Sequence, residues 1–231
     1  MDKLINFFLL IRPKYFMICA IDENYEILFK KELFLNDETS VPSLDIIKKF
    51  LDENIFKLEK KLNLYIKDIN LIIDQKNFIT INFSLIKNLR YSSQQNDIYL
   101  NDLSNIKDSV LKNNTSYELT HMVINKFIVD KKDFVIELDA NNQKNVFLEI
   151  GMICLKKSTI NIFKEILLNY QISIKNISSF EYVNSFKTIE TDNISVIAYK
   201  LINGLNSNEI NFSKKNPKKI GFFEKFFKIF S

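Results

Sequence analysis

The residues best suited to chemistry in this chain are its one histidine, His121, and its two cysteines, Cys19 and Cys154, and their placement argues against catalysis. A histidine-based zinc cluster needs more than one histidine. No CxxC spacing exists, and each cysteine lies in an apolar run, the setting of a buried free thiol in a reducing compartment. A Ser–His–Asp arrangement would need a nucleophile motif that the chain lacks, and His121 sits inside an apparent strand. Asp130 and Asp133 bracket Lys131-Lys132 in a polar stretch, which reads as turn chemistry and not an acid pair. The glycines are Gly151, Gly204 and Gly221, too sparse for a loop that brings backbone amides to a phosphate. The expectation is a non-enzyme with no catalytic, cofactor-binding or metal-binding residues.

The chemistry that stands out lies at a surface. Residues 213–231 carry six lysines and one glutamate, while the remaining chain has 26 bases against 27 acids. A near-neutral body with a basic tail argues against nucleic acid as a partner and for a local electrostatic contact. At 100° per residue, Gly221, Glu224, Lys225, Lys228 and Ser231 fall in one arc of residues 220–231. Ile220, Phe222, Phe223, Phe226, Phe227, Ile229 and Phe230 occupy the other half. An aromatic face opposite lysines is the pattern of a helix lying in the plane of a membrane. Lys214, Lys215, Lys218 and Lys219 stand just before it, and each lysine near an anionic leaflet adds roughly 1 kcal/mol. These residues form the expected membrane-binding site, with an anionic membrane surface as partner and a peripheral place on the cytoplasmic face of the inner membrane.

The whole chain has 46% apolar and 26% charged residues among 231, enough for a packed core. Its wealth of Lys, Asn, Ile and Phe matches AT-rich coding and implies no function. The apolar start, 4–11, is too short to span a bilayer, lacks a basic start and a small-residue cleavage site, and reads as a core strand. Residues 15–21 and 25–35 flank Asp22-Glu23-Asn24 as a hairpin. Pro42-Ser43 opens a helix whose stripe is Leu44, Ile47, Leu51, Ile55, Leu58 and Leu62. Strands are expected at 68–74, 77–83, 117–130, 145–156 and 171–182. A short helix is expected at 101–112, with Leu103, Ile106 and Val110 inward. Ser158 should cap a helix through Tyr170 with Ile162, Phe163, Ile166 and Leu167 buried. A last core helix at 192–203, with Val196, Ile197 and Leu201 inward, should stop near Gly204. Residues 206–219, rich in Asn, Ser and Lys, read as a linker.

This order of elements resembles FtsA, the actin-like protein that tethers the division ring to bacterial membranes. Residues 17–30 (MICAIDENYEILFK) look like its second strand, turn and third strand. Residues 59–83 (EKKLNLYIKDINLIIDQKNFITINF) resemble a helix end followed by the first strands of its small inserted subdomain. Residues 119–133 (LTHMVINKFIVDKKD) resemble a family segment of the type ILHVIPQEFIVDG, and 147–183 resemble the strand, helix and strand that follow. The basic linker and amphipathic ending match as well.

The resemblance implies an α+β fold. It comprises a partial actin-like subdomain (1–65), an inserted strand–helix–strand–strand subdomain (66–184), a terminal core helix (185–205), a basic linker (206–219) and the membrane helix (220–231). The second actin-like lobe, which in the family completes the nucleotide cleft and docks FtsZ, has no counterpart between Tyr182 and the last core helix. At the first phosphate loop, which should read like DIGTTK, stands Leu10-Ile11-Arg12-Pro13-Lys14. The resemblance therefore implies neither ATP binding nor FtsZ docking by that lobe. It implies an ATP-independent division adaptor near the division site, with other cell-division proteins as partners and self-association through exposed strand edges. A membrane-surface scaffold of another system, such as a PilM-like pilus-assembly protein, is the alternative. An unrelated α+β ligand-binding protein is a second alternative.

Overall fold

The computed structural model describes residues 4–35, 43–89, 95–129, 144–189 and 193–210. The apolar start forms strand β1 (Asn6–Arg12), which turns at Pro13-Lys14 into β2 (Tyr15–Ile21), followed by β3 (Ile27–Phe34). β1 and β2 pair antiparallel from Asn6↔Ile21 to Arg12↔Tyr15, and β3 pairs antiparallel with β2. The β2–β3 turn is built on Asp22, whose Oδ1 accepts from the amides of Asn24 (3.0 Å) and Glu26 (2.9 Å). Tyr25 takes a left-handed φ of 66° there, a conformation costly for a bulky side chain. Its ring meets Tyr199 edge-on at 5.1 Å, which helps hold it in place.

Helix α1 (Leu44–Leu62) begins where the capping residue sits: the Ser43 hydroxyl accepts from the Asp45 amide. It ends at Asn63 in the left-handed region, which Asn tolerates. The buried side is wider than the expected stripe. Phe50 and Asn54 join Ile47, Leu51, Ile55 and Leu58, whereas Leu44 is exposed. Phe50 packs on Phe16.

Strand β4 (Asp68–Ile73) runs parallel to β1, and β8 (Ser173–Ser179) runs parallel to β4, giving a five-stranded sheet of order β3-β2-β1-β4-β8. The near-continuous burial of β4 is what a parallel strand covered on both faces requires. Phe16 registers with Ile11 and meets α1, whereas Phe8 points the other way and meets Tyr199 of helix α5 (Ile194–Ile202). The sheet thus has α1 on one face and α5 on the other. Helix α3 (Lys157–Leu168) is followed by Tyr170, whose hydroxyl donates to Asp52 of α1 (2.6 Å). The short α4 (Phe180–Asn184) follows β8 directly.

The second sheet has three strands in the order β5-β7-β6: β5 (Phe78–Leu89), β6 (Tyr117–Val129) and β7 (Lys144–Lys156). Helix α2 (Gln95–Asn113) sends Leu103 into a cluster with Met122, Ile124, Leu148, Ile150, Met152 and Cys154. The chain divides into two units: 1–78 with 156–205, and 79–155 with 206–231. A mixed α+β chain with two sheets is therefore observed.

Several boundaries differ from the sequence reading. β4, α3 and β8, assigned by resemblance to the inserted subdomain, belong to the five-stranded sheet unit, so the second unit is β5-α2-β6-β7. Ser158 does not cap α3: β7 runs straight into the helix, and Ser158 falls within its first turn. Ile162 is exposed, and Ile160 takes its place in the core. In α5, Ser195, Ala198 and Tyr199 are buried and Val196 is only half-buried. The stop at Gly204 is seen, at φ 83°, with its amide on the Leu201 carbonyl.

Candidate functional site

The tail leaves the described structure through a strap. Residues 206–210, expected to be linker, pair along the free side of β6. The Ile124 amide donates to Asn208 O (3.0 Å) and the Ile210 amide to Met122 O (2.8 Å), with Val123 bridged antiparallel to Glu209. Asn206 starts the segment with a local turn, its Oδ1 accepting from the Asn208 amide. Ile210 is buried in the cluster around Leu103 and Met122. Asn-rich composition masked this pairing, because a single apolar residue in five gives no alternation to read.

The strap also accounts for His121. It is buried in β6, and its Nδ1 lies 2.7 Å from Glu209 Oε1, with Glu209 itself largely covered. A carboxylate can only accept, so Nδ1 carries the hydrogen. The imidazole thus fastens the strap to β6.

The membrane-binding residues expected from sequence lie outside the described residues. These are Ile220, Phe222, Phe223, Phe226, Phe227, Ile229 and Phe230, with Lys214, Lys215, Lys218, Lys219, Lys225 and Lys228. Asp130 and Asp133 lie outside them too. No helix among the described residues is long and apolar enough to cross a membrane. No group of three His, Cys, Asp or Glu among them could hold a metal ion.

A second place merits description, because parallel strands present their carboxyl ends where open α/β sheets bind ligands. Here β1 ends at Arg12, and Asp74 and Phe180 directly follow the ends of β4 and β8. Arg12 Nε donates to Asp74 Oδ2 at 2.9 Å, and its guanidinium lies 4.0 Å above the Phe180 ring. The Asp74 amide binds the Ile11 carbonyl at 2.9 Å. The Pro13-Lys14 turn is tight, Pro13 has no N–H, and the neighbouring guanidinium is engaged by carboxylate and ring. The edge is tied together by its own side chains. Arg12 was legible as a departure from a phosphate loop, but its partners, 62 and 168 residues away, carried no local signal.

The thiols are set back from reaction. Burial pushes Cys19 up to about 12, and burial raises Cys154 to about 11. Both are protonated at neutral pH and fully buried.

No protein-family model and no curated protein matches the chain. Among solved structures it is similar to the PilM–PilN type IV pilus biogenesis complex. That match has 8% identity, covers 78% of this chain and 49% of that one, and has a TM-score of 0.42. It is also similar to the cytoplasmic domain of EpsL, an inner membrane component of the type II secretion system of Vibrio cholerae. There the identity is 8%, the coverage 81% and 61%, and the TM-score 0.37. An Argonaute of Marinitoga piezophila in complex with guide RNA follows at 18% identity, 73% and 26% coverage, and a TM-score of 0.21. The chain spans 49% and 61% of the first two. At TM-scores below 0.5 these likenesses decide neither a fold family nor the FtsA resemblance.

Proposed function

We propose that this chain is a non-catalytic adaptor on the cytoplasmic face of the inner membrane, held peripherally by residues 220–231 and serving a protein assembly there. The observation that carries the reading is the separation of seven apolar from five small, polar or charged residues along 220–231, directly behind Lys214, Lys215, Lys218 and Lys219. The absence of catalysis is part of the proposal. It draws on His121 being engaged by the strap and on both thiols being buried and protonated.

Two assemblies are proposed as the destination. One is a PilM-like pilus-assembly or secretion scaffold, the class to which the PilM–PilN and EpsL neighbours belong by name. The other is the cell-division machinery, a reading that rests on the sequence resemblance alone. At TM-scores below 0.5 the neighbours do not decide between them.

The test is an N-terminal fluorescent fusion imaged in the native host beside its Phe226→Asp/Phe227→Asp counterpart. Membrane labelling that turns diffuse in the double variant is the expected result. A midcell band selects division, and labelling elsewhere on the envelope selects the scaffold. A diffuse signal from the unmodified fusion overturns the proposal.

A further inference from the structure

We propose that the 206–210 strap makes the β6 edge of the second unit the membrane-proximal surface, holding it beside an anionic phospholipid bilayer. This rests on the membrane-binding reading of 220–231 and deepens it by naming the surface presented.

The argument is one of tether length. Leu205 is the last residue of the first unit, so without the strap the helix would hang from that unit by all of 206–219. With the strap in place the tether restarts at Ile210. Its amide is bonded to Met122 O at 2.8 Å and its side chain is buried against Leu103, Met122 and Ile124. The Ile124 amide on Asn208 O and His121 Nδ1 on Glu209 Oε1 hold the residues before it. Backbone hydrogen bonds, a side-chain hydrogen bond and apolar contacts thus secure the same segment. Only 211–219 remain between strap and helix. Whatever its conformation, that length reaches at most about 35 Å. A helix lying in the headgroup region therefore keeps the strap, and β6 under it, within that distance of the lipid. The same strap occupies the free side of β6, so that edge is not available for strand pairing by a partner chain.

The test uses the full chain carrying Lys126→Cys, an exposed position on β6. The native thiols are buried, so a donor dye goes to one site. Energy transfer is measured to headgroup-labelled lipid in phosphatidylglycerol–phosphatidylcholine vesicles. The expected result is transfer that places the dye within about 35 Å of the surface. Ile210→Asp should release the strap and lower transfer at least twofold, with the same fraction of protein floating with vesicles. Should that variant fail to fold, inserting nine Gly/Ser residues after Phe212 leaves every strap contact in place and must lower transfer too. Bound protein whose transfer is absent, or is unchanged by the insertion, overturns the inference and leaves the tail reading standing. Native protein that does not float overturns the tail reading, and the inference with it.

Discussion

The orientation of a few polar side chains decides what this molecule can do at neutral pH. Cys19 is fully buried beneath α5, and burial holds its proton to about 12, from an ordinary 9.0. The folded state therefore binds this proton more tightly than the unfolded chain does. The associated stability is whole below pH 9 and is lost as pH climbs from 9 towards 12. Each pH unit in that window costs about 1.4 kcal/mol for one thiol. Cys154 acts in the same direction with a window closing near 11. The tyrosines add to it above pH 10: burial raises both Tyr15 and Tyr170, and their carboxylate partners Glu32 and Asp52 reinforce the shift. Urea unfolding at pH 8 and pH 10.5 should show a marked loss at the higher pH. Cys19→Ala should lose about 2 kcal/mol less between the two. An equal loss in both proteins would mean that Cys19 does not titrate with unfolding.

At the scale of elements, one amide joins the three parallel strands of the large sheet. Asn70 of β4 is almost fully buried. Its Nδ2 donates to Phe7 O in β1 (3.0 Å), and its Oδ1 accepts from Asn176 Nδ2 in β8 (2.8 Å). Asn70→Leu removes the side-chain hydrogen bond to the Phe7 carbonyl and leaves the half-buried Asn176 amide without this acceptor, and should cost about 2–3 kcal/mol in chemical unfolding. Adding Asn176→Leu should restore part of that loss, because the stranded amide goes with it. A fully additive double variant would show that the two residues act separately. This seam also marks how far the sequence could be read. Strand β4 was visible as an apolar run and β8 as a partly alternating one, because burial imposes those patterns locally. Their pairing was not visible, since Asn70 and Asn176 are 106 residues apart and nothing local says which sheet a strand joins. α1 was legible from its cap and stripe, although Phe50 and Asn54, off the simple stripe, escaped and Leu44 was wrongly placed inside. The start of α3 was misread because Ser158 is a good cap by type but already lies inside the helix's first turn, which begins directly after β7.

At the scale of the whole molecule, the proposed membrane helix rests on sequence alone, where residues 220–231 sort by angle as an interfacial helix requires, and it lies outside the described residues. The strap was not legible, because its hold comes from β6. The proposed membrane binding has two separable parts. Six lysines at about 1 kcal/mol each near an anionic surface give an electrostatic part of at most about 6 kcal/mol. Five phenylalanines in 220–231 supply an apolar part, at about 1.5–3 kcal/mol for each fully buried ring. Salt acts on the first alone, since the Debye length falls from about 10 Å at 0.1 M to about 3 Å at 1 M. Partitioning of the full chain into phosphatidylglycerol vesicles should therefore drop at least 100-fold across that range and level off above zero. Phosphatidylcholine vesicles should show the levelled value at both salts. Phe226→Asp/Phe227→Asp should remove the residual, so that its binding disappears at 1 M. A wild-type affinity indifferent to salt would assign the contact to the aromatic face alone and make the lysine cluster a solubilising feature. Complete loss at 1 M would mean that the phenylalanines never enter the bilayer and that the tail is held by charge only.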